Sequence, residues 1–238
     1  MNIIKNIQRE FAKRGEIKQL VLHHTKVDFA TTISLLQQPD GSCAHYVVDV
    51  NGAIYQLASD DSHVGHAGIS YWRGQESLNS TSIGIEIVNN GVAAYPKEQI
   101  ASVIALSKRL INKYSIEPAN VVGHSDIAPA RKDDPGVHFP WGRLFEHGVG
   151  MYVDTPPNLV EGAKVLAKLG DRGEQVQLIQ QFLARIGYQQ PLNTEFDGQM
   201  LVNVLAFRVH FVPYNISPVW DVSANEVAKE LNNKFVNI

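Results

Sequence analysis

A length of 238 residues, with 44% hydrophobic and 19% charged side chains, describes an ordinary globular chain large enough to bury a core and to form two domains. The formal net charge of −3 excludes a general electrostatic pull toward nucleic acid or anionic membrane. A single cysteine, Cys43, excludes an intrachain disulfide, and no stretch approaches the roughly 18 apolar residues of a membrane span.

The first fifteen residues carry charges where a secretory signal needs an apolar core, so the chain as given reads as cytoplasmic, with the periplasm and cell envelope as the alternative. Ile3, Ile4, Ile7 and Phe11 recur at helical spacing and predict a short amphipathic helix. Lys18–His24 reads as a buried strand. His45–Val50 is a second strand that runs into Asn51-Gly52, a strong two-residue hairpin signal, and returns as Ala53–Ala58. Ser82–Val88 alternates and is β-branched. Lys97–Tyr114 places Ile100, Val103, Ile104, Leu110 and Ile111 on one helical face. Asn120–Gly123 is a short strand ending at His124. These elements predict an α/β fold, a mixed sheet covered by helices.

The pattern breaks around Asp154-Thr155-Pro156-Pro157, where paired prolines favour an extended connector. The expected domains are therefore residues 1–153 and 158–238. The second is small and helical, with helices over Gln175–Ile186, Met200–Phe211 and Ser223–Asn232. Ser223 with Glu226 makes a capping-box pattern for the last of these.

His23 and His124 each close a buried strand, and Asp134 follows ten positions after the second. Polar groups at strand ends of a rigid sheet are where catalytic side chains collect. Two imidazoles and a carboxylate with an open fourth position suit a catalytic zinc ion. Spacing by itself favours packing histidines over a zinc site, because His23 and His124 lie about a hundred residues apart and no local metal motif is present. By the same standard Glu86 is a solvent-facing strand carboxylate and Lys132 one charge in a solvated run.

Five blocks change this balance: VLHHT, AHYVVDVNGAIYQL, GHAG, SIGIEIVN and GHSDIAPARKDDPGVHFPW. Their order and spacing over residues 17–145 resemble the N-acetylmuramoyl-L-alanine amidases of the AmpD and AmiD type, relatives of the peptidoglycan recognition proteins. The resemblance implies hydrolysis of the bond between N-acetylmuramic acid and L-alanine, with peptidoglycan or a muropeptide as partner. It implies one zinc ion per chain on His23, His124 and Asp134. It also implies Glu86 as general base and Lys132 as an oxyanion stabiliser. His66 matches a substrate-groove histidine. His24 and Trp72 are further candidates for substrate contact, Trp72 by stacking on a sugar. Where some relatives have a tyrosine, this chain has Ala44, so the acid–base role rests on Glu86. His45 and His138 read as structural or cleft-lining.

The C-terminal part resembles the peptidoglycan-binding domain often attached to such amidases. Leu169–Val176, Gln180, Leu183, Gly187-Tyr188, Phe196-Asp197-Gly198 and Ala206-Phe207 carry that resemblance. Two other function classes are open. One is a protein that binds peptidoglycan without cutting it. The other is a cysteine hydrolase built on Cys43 and His45, which share a strand face at i, i+2.

Overall fold

The structure, a computed structural model, describes residues 2–154 and 163–236. Its centre is a six-stranded mixed sheet in the order β1-β4-β3-β7-β2-β8. The strands are β1 (Ile3–Lys5), β2 (Gln19–His24), β3 (Tyr46–Val48), β4 (Ile54–Gln56), β7 (Ser82–Ile87) and β8 (Val121–Gly123). Strand β2 lies between β7 and β8 and is parallel to both. All six of its residues are buried, as expected of a parallel strand covered on both faces. The Asn51-Gly52 turn joins β3 and β4 as an antiparallel hairpin, as the sequence predicts.

Alternation along the central strands sorts the two faces. Leu20, Leu22, Ile83, Ile85 and Ile87 point into one apolar layer with Ile100, Val103 and Leu110 of α2 (Lys97–Tyr114). Val21 points into the opposite layer. His23 and Glu86 continue that second face past the apolar part of each strand, while His24 follows Leu22. A small hairpin, β5 (Tyr71–Trp72) and β6 (Gln75–Glu76), precedes β7.

Two expectations need correction, and one helix was not foreseen. The N-terminal segment is not a helix: Ile3–Lys5 pairs in parallel with Ile54–Gln56. An exposed β4 edge offers unpaired backbone groups, and β-branched isoleucines suit a strand that covers them. Helix α1 (Phe29–Leu36), capped by Asp28 accepting from the Thr31 N–H, has no counterpart in the pattern reading. The last helix, α7 (Val222–Leu231), is capped by Asp221, whose carboxylate accepts from the Ala224 N–H, and not by Ser223.

The proline pair at 156–157 lies outside the described residues. Beyond it α5 (Glu174–Ile186), α6 (Gly198–Phe211) and α7 surround the two-stranded pair β9 (Val165–Ala167) and β10 (Trp220–Asp221). These helices do not stand apart from the sheet. One apolar cluster runs from Val21, Trp72, Ala119, Val122 and Ile127 into Ile179, Leu183, Tyr188, Phe207 and Phe211. Gly187, at φ 147°, lies against the Trp72 indole so closely that a Cβ there would come within 2.5 Å of it. The Arg73 N–H donates to the Gly187 carbonyl at 2.9 Å.

A chain ended at Asp154 therefore loses the cover of Trp72 and its neighbours. Burying one large apolar side chain stabilises by about 1.5–3 kcal/mol. The truncated protein is expected to melt more than about 10 °C below the full chain and to bind a hydrophobic dye. A melt within a few degrees of the full chain would show that the two parts fold independently.

Candidate active site

The parallel register decides which side chains meet. His23 on β2 lies directly beside Glu86 on β7, and Leu22 beside Gly123 on β8. The next residue, His124, opens the short helix α3 (His124–Ile127). The following loop brings Asp134 back: the Ser125 N–H donates to the Asp134 carbonyl at 2.8 Å. His23 Nδ1, His124 Nδ1 and Asp134 Oδ2 then stand 2.9, 3.0 and 3.1 Å from one another. All three side chains are buried, and their three donor atoms could hold one metal ion.

The outer nitrogens of both rings are engaged. His124 Nε2 lies 3.0 Å from the Ala67 carbonyl, which can only accept. His23 Nε2 lies 3.1 Å from His66 Nδ1, and His66 Nε2 lies 3.3 Å from the Ser82 carbonyl. The Ser82 hydroxyl oxygen lies 3.2 Å from the same nitrogen and gives its proton to the Leu78 carbonyl, so both Ser82 oxygens accept and set the tautomers along the chain of rings. His66 donates from Nε2, its Nδ1 accepts from His23 Nε2–H, and His23 Nδ1 is left bare. Gly84 makes this column possible, since a Cβ there would lie 2.5 Å from the His66 ring. His66 is thus the support behind His23, on the wall of the cleft.

Glu86 is partly buried, and among the described residues its Oε2 has no hydrogen-bond partner. Burial pushes its carboxyl up to about 8, with the Asp134 charge adding and Lys132 opposing. Burial also opposes the charge on Asp134, but hydrogen bonds to His124 and His23 overcome it and hold that carboxylate far below the usual range. Two carboxyl groups in one site are thus driven in opposite directions, Asp134 toward the ionised form that suits a ligand and Glu86 toward holding a proton. Lys132 is exposed at the rim of the same cleft.

That cleft has a volume of about 470 Å³ and is lined by His23, His24, His66, Glu86, His124, Lys132 and Asp134, with Lys26 and Arg131 adding charge. His24 sits on the opposite sheet face from His23, its Nδ1 3.3 Å from the Pro135 carbonyl, and reaches the cleft at the strand end. Trp72 is not in the cleft. It is 0% exposed, its indole N–H donates to the Ala119 carbonyl at 2.8 Å, and its ring meets Tyr188 edge-on. A sugar cannot reach it, because the C-terminal helices cover it. His138 is exposed and lies off the cleft lining.

The cysteine-hydrolase reading fails on geometry. Both His45 nitrogens are occupied, Nδ1 accepting from the Gly84 N–H and Nε2 facing the Ser62 carbonyl. Burial pushes the Cys43 thiol up to about 11, away from thiolate. Sequence reasoning missed Ser82 as the end of the imidazole column and Arg131, whose guanidinium donates to the Ala67 and Ile69 carbonyls. Arg131 adjoins Lys132 in the long block, but nothing in the pattern distinguishes a loop clamp from a solvated charge.

A mixed α/β sheet whose strand ends gather three donor atoms that could hold one metal ion, beside a carboxylate without a hydrogen-bond partner among the described residues, carries the groups of a hydrolytic site. The family model described as N-acetylmuramoyl-L-alanine amidase matches residues 13–137. Escherichia coli AmiD is 36% identical over 92% of this chain and 83% of its own length. AmpD from Enterobacter cloacae is 40% identical over 40% of this chain and 50% of its own. The structure of E. coli AmiD in complex with anhydro-N-acetylmuramic acid-L-Ala-D-gamma-Glu-L-Lys superposes with a TM-score of 0.80. That match has 33% identity and covers 97% of this chain and 95% of the other. AmpDH3 from Pseudomonas aeruginosa, in complex with an anhydromuramic pentapeptide, gives 0.80 at 30% identity over 96% of both chains. The chain belongs to the N-acetylmuramoyl-L-alanine amidase family and is an enzyme of that activity.

The buried imidazoles make the metal-free protein acid-labile. Burial lowers His23 to about 4 and His45 to about 3, and holds His66 well below its usual 6.5. Between about 6.5 and 4 the unfolded chain therefore binds protons that the folded chain refuses, so stability falls as pH falls. Denaturant titrations of chelated protein should show up to about 1.4 kcal/mol lost per pH unit for each such histidine, offset above about 4.5 by the one opposing contribution of Glu86, whose folded carboxyl sits at about 8. His45→Gln should flatten the slope. A stability independent of pH across that window would mean the imidazoles are charged when folded.

Proposed function

We propose that this enzyme cleaves the amide between N-acetylmuramic acid and L-alanine with one zinc ion held by His23 Nδ1, His124 Nδ1 and Asp134 Oδ2. The observation that carries this reading is the triangle of three donor atoms, each about 3 Å from the others, beside a carboxylate with an open oxygen. The donor set fits the ion: two imidazoles whose outer nitrogens are tied down and an ionised carboxylate leave one side facing the cleft. Bound zinc would supply Lewis acidity toward the amide carbonyl and would acidify a water molecule.

The chain's own groups do the remaining work. Glu86 takes the proton of the attacking water and delivers it to the departing L-alanine nitrogen, a transfer its raised affinity for protons suits. The Lys132 ammonium faces the negative charge that grows on the carbonyl oxygen as the carbon becomes tetrahedral. His66 fixes the His23 ring, and His24 contributes to substrate binding at the rim. Lys26, Arg131 and Lys132 line the cleft and complement the carboxylates of a stem peptide. AmiD and AmpDH3 are seen with anhydromuramyl peptides, which supports a soluble 1,6-anhydro-muropeptide as substrate alongside polymeric wall.

In the same reading residues 1–153 carry the chemistry and residues 158–238 bind peptidoglycan. The support for the second assignment is the motif resemblance over Leu169–Val176, Gly187-Tyr188 and Phe196-Asp197-Gly198.

Removal of metal by chelation should abolish cleavage of an anhydro-muropeptide, and zinc should restore it; full turnover in a metal-free sample would end the zinc reading. Glu86→Ala should keep the metal and lose at least about 100-fold in kcat, with metal content and rate measured on one sample. Metal lost together with activity would make Glu86 a ligand or scaffold residue. Cys43→Ser should leave the rate within about twofold, since the thiol has no part in the reaction.

A further inference from the structure

The C-terminal helices reach the metal centre through one buried carboxylate, Asp126. Its side chain is enclosed and receives three donors. Oδ2 accepts from the Gly123 N–H and from His210 Nδ1, each at 2.7 Å, and Oδ1 accepts from the Tyr188 hydroxyl at 2.7 Å. Gly123 immediately precedes His124, so the first bond fixes the corner where β8 turns into α3 and aims the His124 ring. The other two donors come from beyond the proline break. Tyr188 follows α5 and His210 lies in α6. The His210 ring is stacked on Trp141 and on Phe211, with ring centroids 3.7 and 3.9 Å away, which confines its plane.

We propose that Asp126 is a positioning residue through which Tyr188 and His210 set the His124 ring, so that the C-terminal part tunes the metal centre without entering the substrate cleft. This rests on the zinc reading above. Neither Tyr188 nor His210 lines the cleft, so their effect must pass through the backbone at 123–126. The same four-residue span also grips the third donor, since the Ser125 N–H holds the Asp134 carbonyl. One carboxylate thus constrains the corner that carries one ligand and anchors another. Charge-assisted hydrogen bonds of this length restrict geometry more tightly than neutral ones, and partners behind metal ligands govern affinity.

The test uses the full chain with zinc or cobalt(II). Tyr188→Phe deletes one donor without changing shape. His210→Phe deletes the other and keeps an aromatic ring in the stack. Leu231→Ala, in the same apolar cluster but on α7, which supplies none of the three donors to Asp126, reports general destabilisation. Metal affinity is read by chelator competition, ligand geometry by the cobalt absorption bands, and turnover as kcat and KM. Tyr188→Phe and His210→Phe should each weaken metal binding by about tenfold or more, shift the cobalt bands and lower kcat with KM little changed. Leu231→Ala should lower the melting temperature and leave all three readouts as in the parent. The proposal is overturned if either folded phenylalanine variant binds metal and absorbs like the parent, or if Leu231→Ala moves the same readouts as far. A parent chain that takes up neither metal would overturn the zinc reading itself.

Discussion

The site depends on the parallel register of β2 with its two neighbours. Parallel strands end together, so side chains at equivalent positions emerge side by side at one edge of the sheet. His23 and Glu86 are register partners, and His124 is one residue past the Gly123 that pairs with Leu22. A slip of one residue would turn His23 to the face now held by His24 and drive an isoleucine into the place of Glu86. The apolar residues that precede these positions prevent that slip, because Leu20, Leu22, Ile83 and Ile85 must stay on the helix-covered face. Core packing and catalytic geometry are therefore one constraint.

Burial then sets the electrostatics. The same enclosure raises the proton affinity of Glu86 and lowers that of His23, and the neighbouring carboxylate takes opposite parts in the two shifts. Asp134 stays ionised because two imidazoles face it. Glu86 has no such partner, so it favours the proton. A free cation would quench the difference between the two carboxyl groups by pairing with Glu86. Lys132 avoids this by standing at the exposed rim, near enough to oppose the shift and too solvated to cancel it.

How much of this was legible in the sequence depends on the kind of signal. Long periodic segments such as Lys97–Tyr114 and continuous apolar runs such as Leu20–Leu22 were readable, since one physical demand repeats along them. Ile3–Lys5 was not, because its strand conformation comes from an open edge supplied by β4, fifty residues away. The metal-site candidates were visible as strand-end histidines, yet their convergence was known only through the motif order. Trp72 shows the converse. An aromatic beside a glycine-rich loop reads equally well as a sugar platform or as core, and the deciding partner, Gly187-Tyr188, lies more than a hundred positions downstream.

That misplacement of Trp72 bears on the C-terminal motif itself. Gly187 packs on Trp72, Tyr188 donates to Asp126, Gln180 donates to Asn193 and the Glu195 carbonyl, and Asp197 caps α6. Phe196 and Phe207 are fully buried. Most residues through which this part resembles a peptidoglycan-binding domain thus have a folding or docking task, while Leu169 and Glu174 are exposed. The motif reports how three helices are held together and seated against the sheet. The helical part is consequently attached to the amidase fold in two physical senses, through a continuous apolar core and through the carboxylate of Asp126. The second contact reaches within two residues of His124.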